Sequence, residues 1–283
     1  MFVKKLVEKA SIIKPSGNSL DGLKASDVDP NLVFHQGVPS SCTKFAYDNI
    51  QKILSLSTKD GRIKLFEEDN GQALLESSEP VPTKFLHFIQ NQGVLINVTS
   101  NNHIEVWDID KKLLSDVYVV KEEIASIAVV HRSLYMYIGD SIGNISVLKL
   151  DQEPWKIVQM KYTIPLSVSY GNSEVSDDTA VTYILPQPAA ESRRVLIIFR
   201  NGRMVLWDIR ESRYVFRTGG NMSQPLYNET KKVTSACWAC PFGSKVVVGY
   251  NNGELFIWSI ASLNIGNGSA SDCSSQNTPL SQT

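Results

Sequence analysis

Residues able to carry catalysis are scarce in this chain of 283 residues, which holds only four cysteines and four histidines. His35, His87, His103 and His131 form no H-x-x-x-H or H-E-x-x-H pair, and the single C-x-x-C, Cys237 to Cys240, has no second one to complete a zinc site. No G-x-S-x-G, P-loop or G-x-G-x-x-G occurs, so the common hydrolase, nucleotide and dinucleotide signatures are absent. We therefore assign no catalytic, cofactor-binding or metal-ligating residue and read the chain as a non-enzyme, with no cofactor and no small-molecule substrate. No apolar run reaches 18 residues, and the first residues lack the apolar core of a secretory signal. The expected compartment is cytoplasmic, with reduced cysteines. A formal net charge of −1 argues against a nucleic-acid partner.

What is present is a repeat. Five stretches align: ILSLSTKDGRIKLF from Ile53, LINVTSNNHIEVWD from Leu95, YMYIGDSIGNISVL from Tyr135, VLIIFRNGRMVLWD from Val195 and KVVVGYNNGELFIW from Lys245. Each is an apolar strand, a turn, and a second strand closed by a large apolar residue. Asp60-Gly61, Asn201-Gly202 and Asn252-Gly253 are preferred pairs for two-residue hairpin loops, and Gly143-Asn144 is a weaker form. Asn101-Asn102-His103 is the poorest turn signal, and a bulged turn is expected there.

The closing residues are Phe66, Trp107, Leu148, Trp207 and Trp258, at intervals of 41, 41, 59 and 51. A WD40 blade of four strands takes about 40–45 residues. The longer intervals accommodate loops at GNSEVSDD after Tyr170, PQPAAESRR after Leu185 and GGNMSQPLYNETKK from Gly219. Trp107-Asp108 and Trp207-Asp208 are the WD dipeptide itself, and the recurrence of Asp108 and Asp208 at one repeat position marks them as structural. The Gly-His pair that often opens a WD40 blade is missing, so apolar contacts between blades have to supply the stability. The predicted fold is all-β: a WD40-type β-propeller of about five four-stranded blades over 31–262 (41–80, 81–120, 121–162, 163–218 and 231–262). Residues 1–30 are expected to form a short N-terminal helix and linker, and 263–283 a disordered polar tail.

The C-x-x-C falls in VTSACWAC, where the repeat requires a strand, and alternation puts Cys237 and Cys240 on opposite faces. Arg193 to Lys232 holds nine basic and three acidic residues. That imbalance makes Arg193, Arg194, Arg200, Arg203, Arg210, Arg213 and Arg217 a candidate docking surface for an acidic protein or an anionic membrane, against the plainer reading of solvated strands and loops.

The order of the motifs carries a resemblance. HQGVP at His35–Pro39, FAYDNIQKILSLSTKDGRIKLF at Phe45–Phe66, YIGDSIGNISVL at Tyr137–Leu148 and LIIFRNGRMVLWDIRESR from Leu196 place the segment Leu32 to Trp258 beside the lethal giant larvae/tomosyn family. It looks most similar to the plant tomosyn-like proteins. The resemblance implies a scaffold that binds syntaxin-type SNAREs and regulates vesicle exocytosis, peripheral at the plasma membrane. Family members carry two seven-bladed propellers, and tomosyns add an R-SNARE coiled coil. This chain is expected to hold an incomplete first ring, with two inter-blade faces left unburied and no coiled coil. Two other readings stay open. One is a WD40 adaptor such as a ubiquitin-ligase substrate receptor, for which Trp207-Asp208-Ile209-Arg210 supplies one WDxR element and Trp107-Asp108-Ile109-Asp110 does not. The other is a truncated isoform without function.

Overall fold

The computed structural model describes residues 37–69, 71–170, 178–188, 193–217 and 232–260, together with the backbone of 278–279. Contacts divide the chain into Met1–Val38 and Pro39–Thr283, and everything that follows belongs to the second unit. The expected N-terminal helix, most of the first and third predicted loops, and most of the polar tail lie outside the described residues.

Five four-stranded antiparallel sheets follow one another, each with its strands side by side in chain order. Sheet 1 contains β1 (Cys42–Asp48), β2 (Ile53–Thr58), β3 (Ile63–Phe66) and β4 (Gln72–Leu75). Sheet 2 contains β5 (Thr83–Ile89), β6 (Val94–Thr99), β7 (His103–Asp108) and β8 (Leu113–Val119). Sheet 3 contains β9 (Ile124–Val129), β10 (Tyr135–Asp140), β11 (Ile145–Asp151) and β12 (Lys156–Ile164), and a single helical turn, α1 (Leu166–Tyr170), follows it. Sheet 4 contains β13 (Val181–Pro186), β14 (Arg194–Phe199), β15 (Met204–Asp208) and β16 (Arg213–Arg217). Sheet 5 contains β17 (Val233–Trp238), β18 (Lys245–Tyr250), β19 (Leu255–Ser259) and β20 (Thr278–Pro279). The last strand is a departure from expectation, since Thr278 and Pro279 fall in the stretch read as disordered tail.

Two local devices recur in all five sheets. The first strand carries a bulge at its second residue: Thr43, Lys84, Ala125, Thr182 and Thr234 are each skipped in the ladder. A bulge sharpens the local twist. The second device is the hairpin between the second and third strands. Gly61, Asn102, Gly143, Gly202 and Gly253 occupy its third loop position with φ of 88°, 67°, 100°, 85° and 84°. Their amides donate to the carbonyls of Thr58, Thr99, Asp140, Phe199 and Tyr250 at 2.9–3.4 Å. These are three-residue loops ending in a left-handed residue, not the two-residue loops that the Asp-Gly and Asn-Gly pairs suggested. Only one positive φ is needed, and asparagine tolerates it. The Asn101-Asn102 turn, read as the poorest, is therefore the same turn as the rest.

The core lies between the sheets as four apolar layers. Leu65, Leu75, Phe88, Leu95 and Trp107 belong to the layer of sheets 1 and 2. Ile96, Val106, Met136, Ile138 and Leu148 join sheets 2 and 3. Tyr137, Val147, Ile197, Phe199 and Trp207 join sheets 3 and 4, and Leu196, Leu206, Val246, Val248 and Trp258 join sheets 4 and 5. Each fully buried aliphatic side chain contributes roughly 1.5–3 kcal/mol. Gly139 lets β13 come close: a Cβ there would lie 2.5 Å from Cβ of Val181. Among the described residues no strand of one sheet pairs with a strand of another.

Candidate interaction surface

The repeat positions sort into two groups. Asp60, Gly61, Gly143, Asn144, Asn201, Gly202, Asn252 and Gly253 stand at the hairpin rim of their sheets. Asp60 there accepts from Arg62 Nη2 at 2.5 Å and from the Thr58 hydroxyl, and these bonds lower its carboxyl to about 2. Asn144 Nδ2 donates to Asp140 Oδ2 at 3.0 Å, and its Oδ1 accepts from the amide of Leu166.

Trp107, Leu148, Trp207 and Trp258 are buried, each in the layer that joins its sheet to the preceding one. Phe66 faces away from sheet 2, and its ring is only half-buried, with Lys64 Nζ 4.9 Å from its centroid. The indoles find their own partners. Trp207 Nε1 donates to the Tyr162 hydroxyl at 2.8 Å across the sheet 3–4 layer. Trp107 Nε1 donates to Glu105 Oε2 at 3.0 Å, which also accepts from Asn97 Nδ2 at 2.8 Å. This buried carboxyl was invisible in the sequence, where Glu105 reads as an ordinary polar strand residue.

Asp108 and Asp208 cap the turns that follow their strands. Asp108 Oδ1 accepts from the Lys111 amide, and Asp208 Oδ1 from the amides of Arg210 and Glu211, all at 3.0 Å. Burial pushes the Asp208 carboxyl up, but the Glu211 amide and the guanidinium groups of Arg193 and Arg194 outweigh it, and the net shift is downward. Asp108 behaves likewise, with burial opposed by the amide, ammonium group and charge of Lys111. A carboxylate stabilised in its charged form and committed to a turn is poorly suited to general acid–base work. The shallow cleft beside Asp108, which Asp110, Glu153 and Trp155 also line, offers no activated nucleophile. Among the described residues no group of three metal-ligating side chains occurs.

The seven arginines do not form one surface. Hairpin register puts Arg194 and Arg213 on either side of Asp208 at one end of sheet 4, while Arg217 lies opposite Val205 at the other. Four residue steps along the strand separate Arg213 from Arg217, about 13 Å. Arg193 and Arg194 are held by Asp208 at 3.0 and 3.5 Å, and Arg193 also reaches Glu211. Arg210 beside them is exposed. At the hairpin rim, Arg200 and Lys232 share Asp178 at 3.5 and 3.8 Å. Arg203 stacks on Tyr170 with 4.1 Å to the ring centroid, and Arg217 on Tyr214 with 3.7 Å. Adjacency in sequence was misleading because the hairpins send neighbouring residues to opposite ends of the sheet.

The C-x-x-C does not lie on one strand. Cys237 is exposed within β17, and Cys240 stands in the turn beyond it, accepting from the Ser244 amide at 3.3 Å. Hydrogen bonding to Ser244 lowers its thiol to about 7.

No protein-family model matches the chain. A lethal(2) giant larvae protein of Drosophila pseudoobscura pseudoobscura is 24% identical over 241 residues, which is 77% of this chain and 20% of that protein. Its Drosophila melanogaster counterpart is 23% identical over 195 residues, 62% of this chain and 16% of that one. This chain is similar to the lethal giant larvae proteins over most of its length. It spans about a fifth of the length of these relatives. The β-propeller domain of Myceliophteria thermophila Cps50 (Swd1) superposes with a TM-score of 0.61 at 14% identity, over 86% of this chain and 71% of that one. The five four-stranded sheets are accordingly β-propeller blades of WD40 type.

Proposed function

We propose that this chain is a non-enzymatic propeller scaffold that binds syntaxin-type SNAREs and regulates vesicle exocytosis, working in the cytoplasm and peripherally at the plasma membrane. One observation carries the reading: the similarity to lethal giant larvae proteins runs through most of the chain rather than through a single blade. Repeated blades supply broad rigid faces, and their caps and indoles are occupied in holding the fold, which suits docking better than turnover. Arg200, Arg203 and Arg217 at the hairpin rim of sheet 4 are the residues we assign to anionic contacts with partner or membrane. The test is binding of the purified full chain to the soluble part of a syntaxin-type SNARE, with an unrelated propeller as control. Saturable binding weakened by Arg200→Glu with Arg217→Glu supports the proposal. Equal binding by the control propeller, or none by this chain, sinks it.

A further inference from the structure

A carboxylate stands between two cations of the hairpin rim. Asp178 lies on the connection that enters β13, and its two oxygens face different partners. Oδ1 is 3.5 Å from Arg200 Nη1, and Oδ2 is 3.8 Å from Lys232 Nζ. Arg200 belongs to the β14–β15 hairpin of sheet 4, and Lys232 immediately precedes β17 of sheet 5. The main chain holds this arrangement in place. The Arg200 amide donates to the Ala180 carbonyl at 2.9 Å, and the Asn201 amide to the Asp178 carbonyl at 3.2 Å. Arg200 also acts on a second carboxylate. Glu123 is held below the ordinary carboxylate range first by Lys84, whose Nζ is 2.7 Å away, and to a lesser extent by the charge of Arg200. Along this chain of contacts Lys84, Glu123, Arg200, Asp178 and Lys232 alternate in sign from sheet 2 to sheet 5.

We propose that Asp178 is an autoinhibitory contact, an internal competitor that holds Arg200 and Lys232 until an acidic segment of a partner protein displaces it. The proposal rests on the assignment of Arg200 to anionic contacts made above. The side chains of Arg200 and Lys232 remain 48% and 54% exposed, so both cations can be reached from solvent. Exposed pairs of this kind hold weakly. Asp178 nonetheless has the advantage of being tethered beside its partners, at a high effective concentration. A single carboxylate from solution gains no new bond by replacing it. A segment with several adjacent carboxylates gains more than it displaces, because its second and third contacts form within the complex. Arg200 and Lys232 flank one narrow seam between sheets 4 and 5, which suits a chain segment better than a flat lipid surface. Asp178 and Glu123 thus set a threshold of charge density that a partner must exceed.

The probe is fluorescein-labelled hexaglutamate, titrated into the full chain at low ionic strength, where screening is weakest. Asp178→Asn keeps the side chain's size and the backbone bonds of the turn. It should tighten hexaglutamate binding about two- to fivefold, the range of an exposed ion pair. Glu153→Gln makes the same charge change in the β11–β12 turn, at the opposite end of the sheets, and should leave binding unchanged. The gain in D178N should vanish when Arg200→Gln and Lys232→Gln are added. Equal binding by wild type and D178N, an equal gain in E153Q, a gain that survives the loss of both cations, or no binding by any variant each overturns the proposal. So does a D178N chain that gains affinity for phosphatidylserine vesicles and none for hexaglutamate, which would give the rim to a membrane. The soluble part of a syntaxin-type SNARE, run on the same variants, separates this proposal from the docking assignment. SNARE binding that is equal in wild type and D178N overturns the masking and leaves the docking. No SNARE binding by any variant ends the docking, while a hexaglutamate gain in D178N still upholds the masking.

Discussion

β6 in sheet 2 and β18 in sheet 5 are counterparts of similar apolar content, VLINVT and KVVVGY, yet they are buried differently. All six residues of β6 are buried, whereas Val247 and Tyr250 of β18 are only partly covered and Lys245 is exposed. In sheet 1 the contrast is stronger: Phe45 and Tyr47 stand on β1 with 72% and 47% of their surfaces exposed. Among the described residues, sheets 2, 3 and 4 are packed on both faces, while the two end sheets have an apolar layer on one face only. Burial in this fold is conferred by the neighbouring sheet more than by the strand itself, as expected for units that touch only those beside them.

The sharpest test of that contrast sets Trp207 against Phe66. Trp207→Ala opens a cavity between two sheets and removes the bond to Tyr162, and we expect a loss of about 3–5 kcal/mol. The equivalent Phe66→Ala, at a half-buried ring outside the apolar layers of the described residues, should lose less than about 1.5 kcal/mol. Urea unfolding of both variants measures the gap, and comparable losses would mean that the end face of sheet 1 is as well packed as the interior.

A second pair concerns the hairpin glycines. Alanine at either position takes on left-handed strain of about 1–2 kcal/mol. At Gly61 its Cβ would also lie 2.5 Å from the Val81 amide nitrogen, whereas at Gly253 nothing stands within 4 Å. Gly61→Ala should therefore be clearly the more destabilising, and equal melting points would contradict the close approach of that turn to the segment leading into sheet 2.

The smallest effect is electrostatic. Asp208 is buried with a lowered carboxyl, so its contribution is full above the ordinary carboxylate range and is lost as pH falls through its folded value. Asp208→Asn should melt about 2–4 °C lower at pH 7, for a loss of about 1 kcal/mol, and the difference should shrink below about pH 4. Asp60→Asn at the exposed rim should change the melting point less, and added salt should erase what change there is. A gap for Asp208→Asn that persists to pH 2 would rule out the charge as its source.

The fold class was legible because five apolar strand pairs meet at turn residues suited to positive φ, and backbone sterics make that signal direct. The loop length was not, since Asp-Gly and Asn-Gly serve both two- and three-residue loops and only the hydrogen bonds distinguish them. Asn102 shows the limit from the other side, a weak turn signal adopting the common geometry. The candidate surface was less legible. Whether Arg194 and Arg217 stand together depends on hairpin register, and the burial of Glu105 depends on sheet 1 lying over it. β20 was hidden because a two-residue strand containing proline has no periodicity to detect.

Sheet 4 stands out in one further way. The two longest spans of sequence between described strands, apart from the one leading to β20, are Ile164 to Val181, which enters it, and Arg217 to Val233, which leaves it. Lengthening a flexible connection is thermodynamically mild, about 0.6 kcal/mol for each doubling. A sheet clamped on both faces absorbs such increments with the least risk to the whole. Sheet 4 is thus where an inserted epitope, reporter or cargo peptide should be carried with the least harm to the blades around it.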